Sequence, residues 1–167
     1  MTETETLQMA AELLYREAHF LDERRWDDWL SLYHEQAEFW VPAWRDEDRV
    51  TEDPENEIAL IYISSRVQLE ERVSRGRSGR SAASSPLPRT AHAVSNVMVT
   101  TGADDDMLTV RSITTTHIFD VKRREQHILF ARCEHGLVRV DGDLRILRKK
   151  LVLLNDYIQT VIDFYSI

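Results

Sequence analysis

The chain has 167 residues, 43% of them hydrophobic and 30% charged, the proportions of an ordinary globular protein. That length is most simply one domain, 1–167, able to bury roughly 70% of the surface its unfolded form exposes. A formal charge of −8 argues against nucleic acid, no apolar run reaches the roughly 18 residues of a membrane span, and a lone cysteine, Cys133, excludes an internal disulfide.

Thr2 and Glu5 have the spacing of a capping box, in which each side chain satisfies a free amide at a helix start. Leu7, Ala10, Leu14, Ala18 and Leu21 follow at helical intervals and predict a helix over 3–22. The acidic opening stretch lacks the basic region of a secretory signal, so a reducing cytoplasm is the expected compartment. Trp26, Trp29, Leu30 and Tyr33 fall at i, i+3, i+4 and i+7 and predict a second helix over 25–34. Ala37, Phe39 and Val41 then alternate with a period of two, predicting a strand over 37–42 that Pro42 stops.

An acidic stretch comes next: Asp46, Glu47, Asp48, Glu52, Asp53, Glu55 and Glu57. It lacks the D-x-D-x-D-G alternation of a calcium loop and reads as a solvated turn or a subunit contact. Residues 58–63 are rich in β-branched and aromatic side chains and predict a strand. Ser64 or Ser65 can cap a third helix that buries Leu69 and Val73. Residues 74–90 have loop chemistry, and Arg72, Arg75, Arg77, Arg80 and Arg89 make a basic patch without interleaved aromatics. That patch reads as a solvated loop or a docking surface for an acidic protein.

From there the pattern is a β-meander, with strands near 91–100, 107–120, 126–140 and 143–156. The breaks are Asp104-Asp105-Asp106, Lys122-Arg123-Arg124-Glu125 and Asp141-Gly142, the last a type I′ hairpin signal. The final residues stay apolar through Ile158, Val161, Ile162, Phe164, Tyr165 and Ile167, so they should cover the domain's own sheet or another subunit. Helices gathered before strands indicate α+β: a cone with N-terminal helices packed on a curved, largely antiparallel sheet.

The commoner catalytic signatures are missing. None of the histidines, His19, His34, His92, His117, His127 and His135, forms a zinc-binding helical pair, and no nucleophile elbow, dinucleotide fingerprint or P-loop occurs. Cys133-Glu134-His135 is half of a Rieske motif, but its second half is missing. In a strand, residues 133 and 135 share a face, so a buried thiol beside a polar ring is the expected role. Asp28, Tyr33, His34 and His92 are the candidates for acid/base chemistry in the cone's mouth, although nothing in their spacing makes them converge. On that basis the chain could be a stand-alone isomerase or dehydratase, or a small-ligand binding module.

Several stretches together resemble the small (beta) subunit of aromatic-ring-hydroxylating dioxygenases of the benzoate, toluate and anthranilate group. They are LYREAHFLDERRWDDWLSLYHEQAEFWVPAW (14–44), TEDPENEIALIYI (51–63), LEERVSR (69–75), HAVSN (92–96) and RKKLVLLNDYIQTVIDFY (148–165). The loop at 76–90 departs from the family pattern in its wealth of Gly, Ser and Arg. The resemblance implies a cystatin-like (NTF2-like) cone that assembles with a large alpha subunit, commonly three of each. It also implies that the alpha subunit carries the Rieske [2Fe–2S] cluster and a mononuclear iron, Fe(II). A separate reductase passes electrons from NADH, and dioxygen adds to an aromatic acid to give a cis-diol. No catalytic residue, cofactor ligand or metal ligand is implied for this chain. The expected contacts with the large subunit are Trp40, Trp44, Tyr62, Tyr157, Phe164 and Tyr165, any of which could instead be core.

Overall fold

The computed structural model describes residues 2–79, 86–101, 107–158 and 161–167. Helix α1, Glu3–Asp22, begins with the expected capping box: the Glu5 amide donates to Thr2 Oγ1 at 3.2 Å, and the Thr2 amide donates to the Glu5 carboxylate at 2.7 Å. Its buried face is Ala10, Leu13, Leu14, Glu17 and Leu21, rotated from the predicted stripe, and Leu7 is left 39% exposed.

Helix α2, Trp26–Ser31, is shorter than the predicted 25–34, and strand β1, Tyr33–Pro42, starts earlier than the predicted 37–42. The cause is tertiary. The Leu32 carbonyl accepts the Ile146 amide at 2.8 Å and Tyr33 pairs with Ile146, so a distant strand captures the chain where its own spacing would have continued the helix. Tyr33 faces the core in either conformation, which is why helical periodicity misreads it.

In the acidic loop, three of the seven carboxylates, Asp46, Asp53 and Glu57, are engaged by the loop itself. Asp46 accepts from the Arg49 guanidinium, Asp53 accepts from the amides of Glu55 and Asn56, and Glu57 pairs with Arg45 while accepting the amides of Glu52 and Asp53. Strand β2, Ala59–Ile63, and helix α3, Arg66–Arg77, follow; Ser65 caps α3, and Leu69 and Val73 are its buried residues.

Four long strands complete the sheet: β3, Arg89–Thr101; β4, Met107–Asp120; β5, Glu125–Val140; and β6, Asp143–Leu153. Asp141 and Gly142, at φ 53° and 90°, form the expected tight turn between β5 and β6. The Asp104-Asp105-Asp106 turn and Arg80 lie outside the described residues. Strand β6 stops at Leu153, short of the predicted 156, because the Asn155 side chain takes over the pairing. Its Oδ1 accepts the Phe130 amide at 3.0 Å and its Nδ2 donates to the Ile128 carbonyl at 2.7 Å.

The strand order is β2-β1-β6-β5-β4-β3, antiparallel throughout except for the parallel pair β1 and β6. Of the register shifts in the sheet, two bulges reset which residues of β3 and β6 point inward. On β3, Ser95 pairs with Ile113 but Met98 pairs with Arg111, and Asn96 takes a left-handed φ of 54°. On β6, Leu137 pairs with Ile146 while Gly136 pairs with Arg148, so Leu147 is the extra residue. The inward series on β6 therefore runs Leu144, Ile146, then Lys149, Leu151 and Leu153.

The core sits between α1, α2 and the concave face. Phe164, only 1% exposed, stacks on Trp29 at 5.2 Å between ring centroids and meets Trp26 edge-on at 5.4 Å. With Tyr165 and Ile167 also buried, the end of the chain covers its own core, whereas Tyr157 (81% exposed) and Val161 stay on the surface. The basic patch is similarly self-directed: Arg72 bonds Asp163 at 2.8 Å, Arg77 bonds Asp27 at 2.8 Å, and Arg89 lies over the Phe119 ring.

Candidate functional site

The concave face carries a buried polar cluster centred on Glu17. From α1, this carboxylate accepts from Tyr33 Oη (β1) at 2.5 Å, from Lys149 Nζ (β6) at 2.8 Å and from His135 Nε2 (β5) at 3.2 Å. All four side chains are almost wholly buried. Burial alone would raise the Glu17 carboxyl, but the Lys149 charge and the bonds from His135 and Lys149 outweigh it and hold the group well below its ordinary range. The Tyr33 hydroxyl is driven the other way, by burial first and then by the Glu17 charge. Cys133, inward on the same strand as His135, has its thiol pushed up by burial and touches Thr114 Oγ1 at 3.2 Å.

A second group lies at the rim. Asp22, the last residue of α1, accepts from His92 Nδ1 at 2.6 Å, the His92 amide at 2.9 Å and Thr90 Oγ1 at 3.0 Å. Burial pushes its carboxyl up, and the hydrogen bonds from His92 more than cancel that, so it lies below its ordinary value. Between the two groups is a void of about 10 Å³, bordered by Glu17, His92, Ser112, His135, Lys149 and Ile167 among others.

The predicted acid/base set does not come together. Asp28 is on the outside of α2, bonded to Arg25 at 2.8 Å, and His34 accepts the Gln36 amide at 3.1 Å on β1. Tyr33 and His92 do point into the cone, but to different carboxylates. Of the expected contact residues, Phe164, Tyr165 and Trp40 are buried in this chain. Trp40 is on the outer face of the sheet beneath Lys150 Nζ, 4.5 Å from its ring centroid; Trp44 donates to the Leu153 carbonyl at 2.6 Å; and Tyr62 pairs with Trp40 across β1 and β2.

Sequence reasoning missed Glu17, His135 and Lys149 as a group. Glu17 had a signal, a carboxylate at i+7 of an otherwise apolar stripe begun by Ala10, Leu13 and Leu14. Lys149 had a fainter one, since the odd spacing between Ile146 and Leu151 implies a bulge between them.

Residues 16–160 match the family described as the ring hydroxylating beta subunit. The chain belongs to the ring-hydroxylating beta-subunit family. It is 42% identical to a benzoate 1,2-dioxygenase subunit beta from Acinetobacter baylyi, over 100% of this chain and 97% of that one. The crystal structure of the beta subunit of a benzoate 1,2-dioxygenase from Burkholderia mallei superposes with a TM-score of 0.76, at 35% identity and 95% coverage of both chains. A Nostoc punctiforme protein described as having a cystatin-like fold superposes at 0.62 with 12% identity, over 93% of this chain and 96% of that one, a likeness of fold alone.

The residues of this chain do not supply the ligand set of the Rieske cluster that the resemblance places in the alpha subunit. A Rieske cluster takes two cysteines and two histidines, and this chain has one cysteine. Among the described residues no three of His, Cys, Asp and Glu gather where an ion could be held. Nor is any helix among them long and apolar enough to cross a membrane.

Proposed function

We propose that this chain is the non-catalytic small subunit of a benzoate-type ring-hydroxylating dioxygenase. A large alpha subunit supplies the Rieske [2Fe–2S] cluster and the mononuclear iron, and a reductase delivers electrons from NADH. The assembly, three large and three small subunits in the cytoplasm, adds dioxygen to an aromatic carboxylic acid to give a cis-diol. The role of this chain is to hold the large subunits in register.

One observation carries the reading: among the described residues, the void inside the cone is too small for an aromatic acid. Its void of about 10 Å³ compares with roughly 300 Å³ or more for organic ligand pockets. Asp22 and His92 have the form of an acid/base dyad, but the void described beside them is too small for an organic substrate. The same closure argues against a stand-alone isomerase or a ligand carrier.

A partner contact is supported by the apolar surface outside the cone. Ile128, Phe130, Leu154 and Tyr157 are all exposed, and they adjoin where Asn155 and the Leu154 amide bind the β5 backbone. The test is co-expression with a large subunit. Tyr157→Asp should abolish co-purification while changing the stability of the chain by no more than about 0.5 kcal/mol. Oxidation of benzoate by this chain unaided, or stoichiometric iron in it, would overturn the reading.

A further inference from the structure

The outer face of the sheet carries a charged row that crosses five strands. Met98 (β3) lies opposite Arg111 (β4), Arg111 opposite Glu134 (β5), Glu134 opposite Lys150 (β6), and Lys150 beside Trp40 (β1). In the next row on the same face, Arg132 stands between Ile113 and Val152. These two rows are rich in donors and short of acceptors. Glu134 is their one carboxylate, and the Arg111 guanidinium already donates to it at 3.1 Å. Arg132 has no hydrogen-bond or ion-pair partner among the described residues. Lys150 has only the Trp40 ring beneath it, at 4.5 Å, and the buried Trp40 Nε1 is itself unpaired.

The chain carries the complement elsewhere. In the loop between β1 and β2, Glu47, Asp48, Glu52 and Glu55 are exposed, and their carboxylates have no hydrogen-bond or ion-pair partner among the described residues. They are acceptors without donors. Ile58, at the end of the same loop, is 77% exposed. The Asp46–Arg49 and Glu57–Arg45 pairs already brace the loop, so little order has to be gained when it docks. Within one chain the two surfaces stay apart: among the described residues, no carboxylate of the loop bonds Arg132 or Lys150.

We propose that the β1–β2 loop of one copy docks on the outer sheet face of a second copy. Its carboxylates pair with Arg132 and Lys150, and Ile58 meets the apolar flank of Met98, Ile113 and Val152. Met98 is 65% exposed and, with the two cations, borders a surface depression of about 460 Å³ that can take several side chains. Charge points to this occupant: on a chain of formal charge −8, the two rows set three cations against one carboxylate. Exposed ion pairs are individually weak, so the contact depends on several of them acting with the apolar flank. Because it joins two different surfaces, each copy uses its loop on one neighbour and its sheet on another, which gives a ring or a filament rather than a two-fold pair. This contact between small subunits goes beyond the docking of a large subunit proposed above and does not depend on it.

Sedimentation of the full chain, alone and at micromolar concentration, tests this. The wild type should self-associate. One variant combines Arg132→Gln with Lys150→Gln; the other combines Glu47→Gln, Asp48→Asn, Glu52→Gln and Glu55→Gln. Each should weaken association about tenfold or more. Mixed together, they should form a one-to-one pair and nothing larger, since one retains only the loop and the other only the sheet face. Thermal unfolding checks that each variant is folded. The loop variant alters only exposed side chains without bonds, so it carries the test even if the other fails to fold. A monomeric wild type, a folded variant of either kind that associates as the wild type does, or two folded variants that stay apart when mixed overturns the proposal.

Discussion

Replacing Glu17 by Gln keeps the shape of the side chain and removes only its charge. Lys149 is then left as a buried cation without a counter-charge, since Glu17 is the only carboxylate bonded to it among the described residues. Removing one partner of a buried pair typically costs about 3–5 kcal/mol, a large share of the roughly 5–15 kcal/mol that holds a domain folded. With a urea m-value of about 2 kcal/mol/M, the midpoint should fall by about 1.5–2.5 M at unchanged slope. Lys149→Met should cost a similar amount, because it strands the Glu17 anion. The double variant should recover at least about 1 kcal/mol relative to the sum, because each single change leaves a charge that the second removes. The pH profile gives an independent check. The folded Glu17 carboxyl binds its proton well below its ordinary value of 4.5, so the unfolded state takes up the proton first as pH falls. The stabilisation is therefore complete above that value and lost as pH drops below it, and Glu17→Gln should lack this acid-side contribution. Single variants that lose less than about 1 kcal/mol, or losses that simply add, would refute the account of a coupled buried cluster.

Three further outcomes are expected. Phe164→Ala removes the ring stacked on Trp29 and should cost about 3–5 kcal/mol by urea unfolding, against little for the surface change Val161→Ala. Asp22→Asn weakens charge-assisted bonds to His92 and Thr90 and should cost about 2 kcal/mol near neutral pH, the difference shrinking as pH falls below the ordinary aspartate value of 3.8. Gly142→Ala should cost about 1 kcal/mol in thermal unfolding purely through its φ of 90°, since a Cβ there meets nothing within 4 Å.

Much of the fold was legible because it rests on local chemistry. The Thr2 and Glu5 cap, the Ser65 cap, the Asp141-Gly142 turn and the period-two strands each need only neighbouring residues to be read. What the sequence hid depends on partners far along the chain. The start of β1 at Tyr33 is set by Ile146, and the end of β6 by the Asn155 side chain. The polar cluster was hidden for the same reason. Glu17 looks like one more solvated glutamate until β5 and β6 are folded over it, and Lys149 faces inward only because Leu147 is bulged out. Conversely, Asp28 and His34 looked chemically able but point away from the cone, since Asp28 lies opposite the buried Trp26, Trp29 and Leu30 on α2 and His34 alternates with the inward Tyr33 on β1.

The single parallel pairing in the sheet has a consequence for how this protein must be made. Strand β1, ending at Pro42, is translated well before its β6 neighbour, which begins at Asp143. Until then the nascent hairpin of β1 and β2 carries an open edge with Phe39, Trp40 and Val41 beside it, a sticky template for the same strand on an adjacent polysome. Chaperone demand should therefore concentrate in the interval before residue 153 emerges, and early-terminated products should aggregate rather than persist as a smaller folded unit.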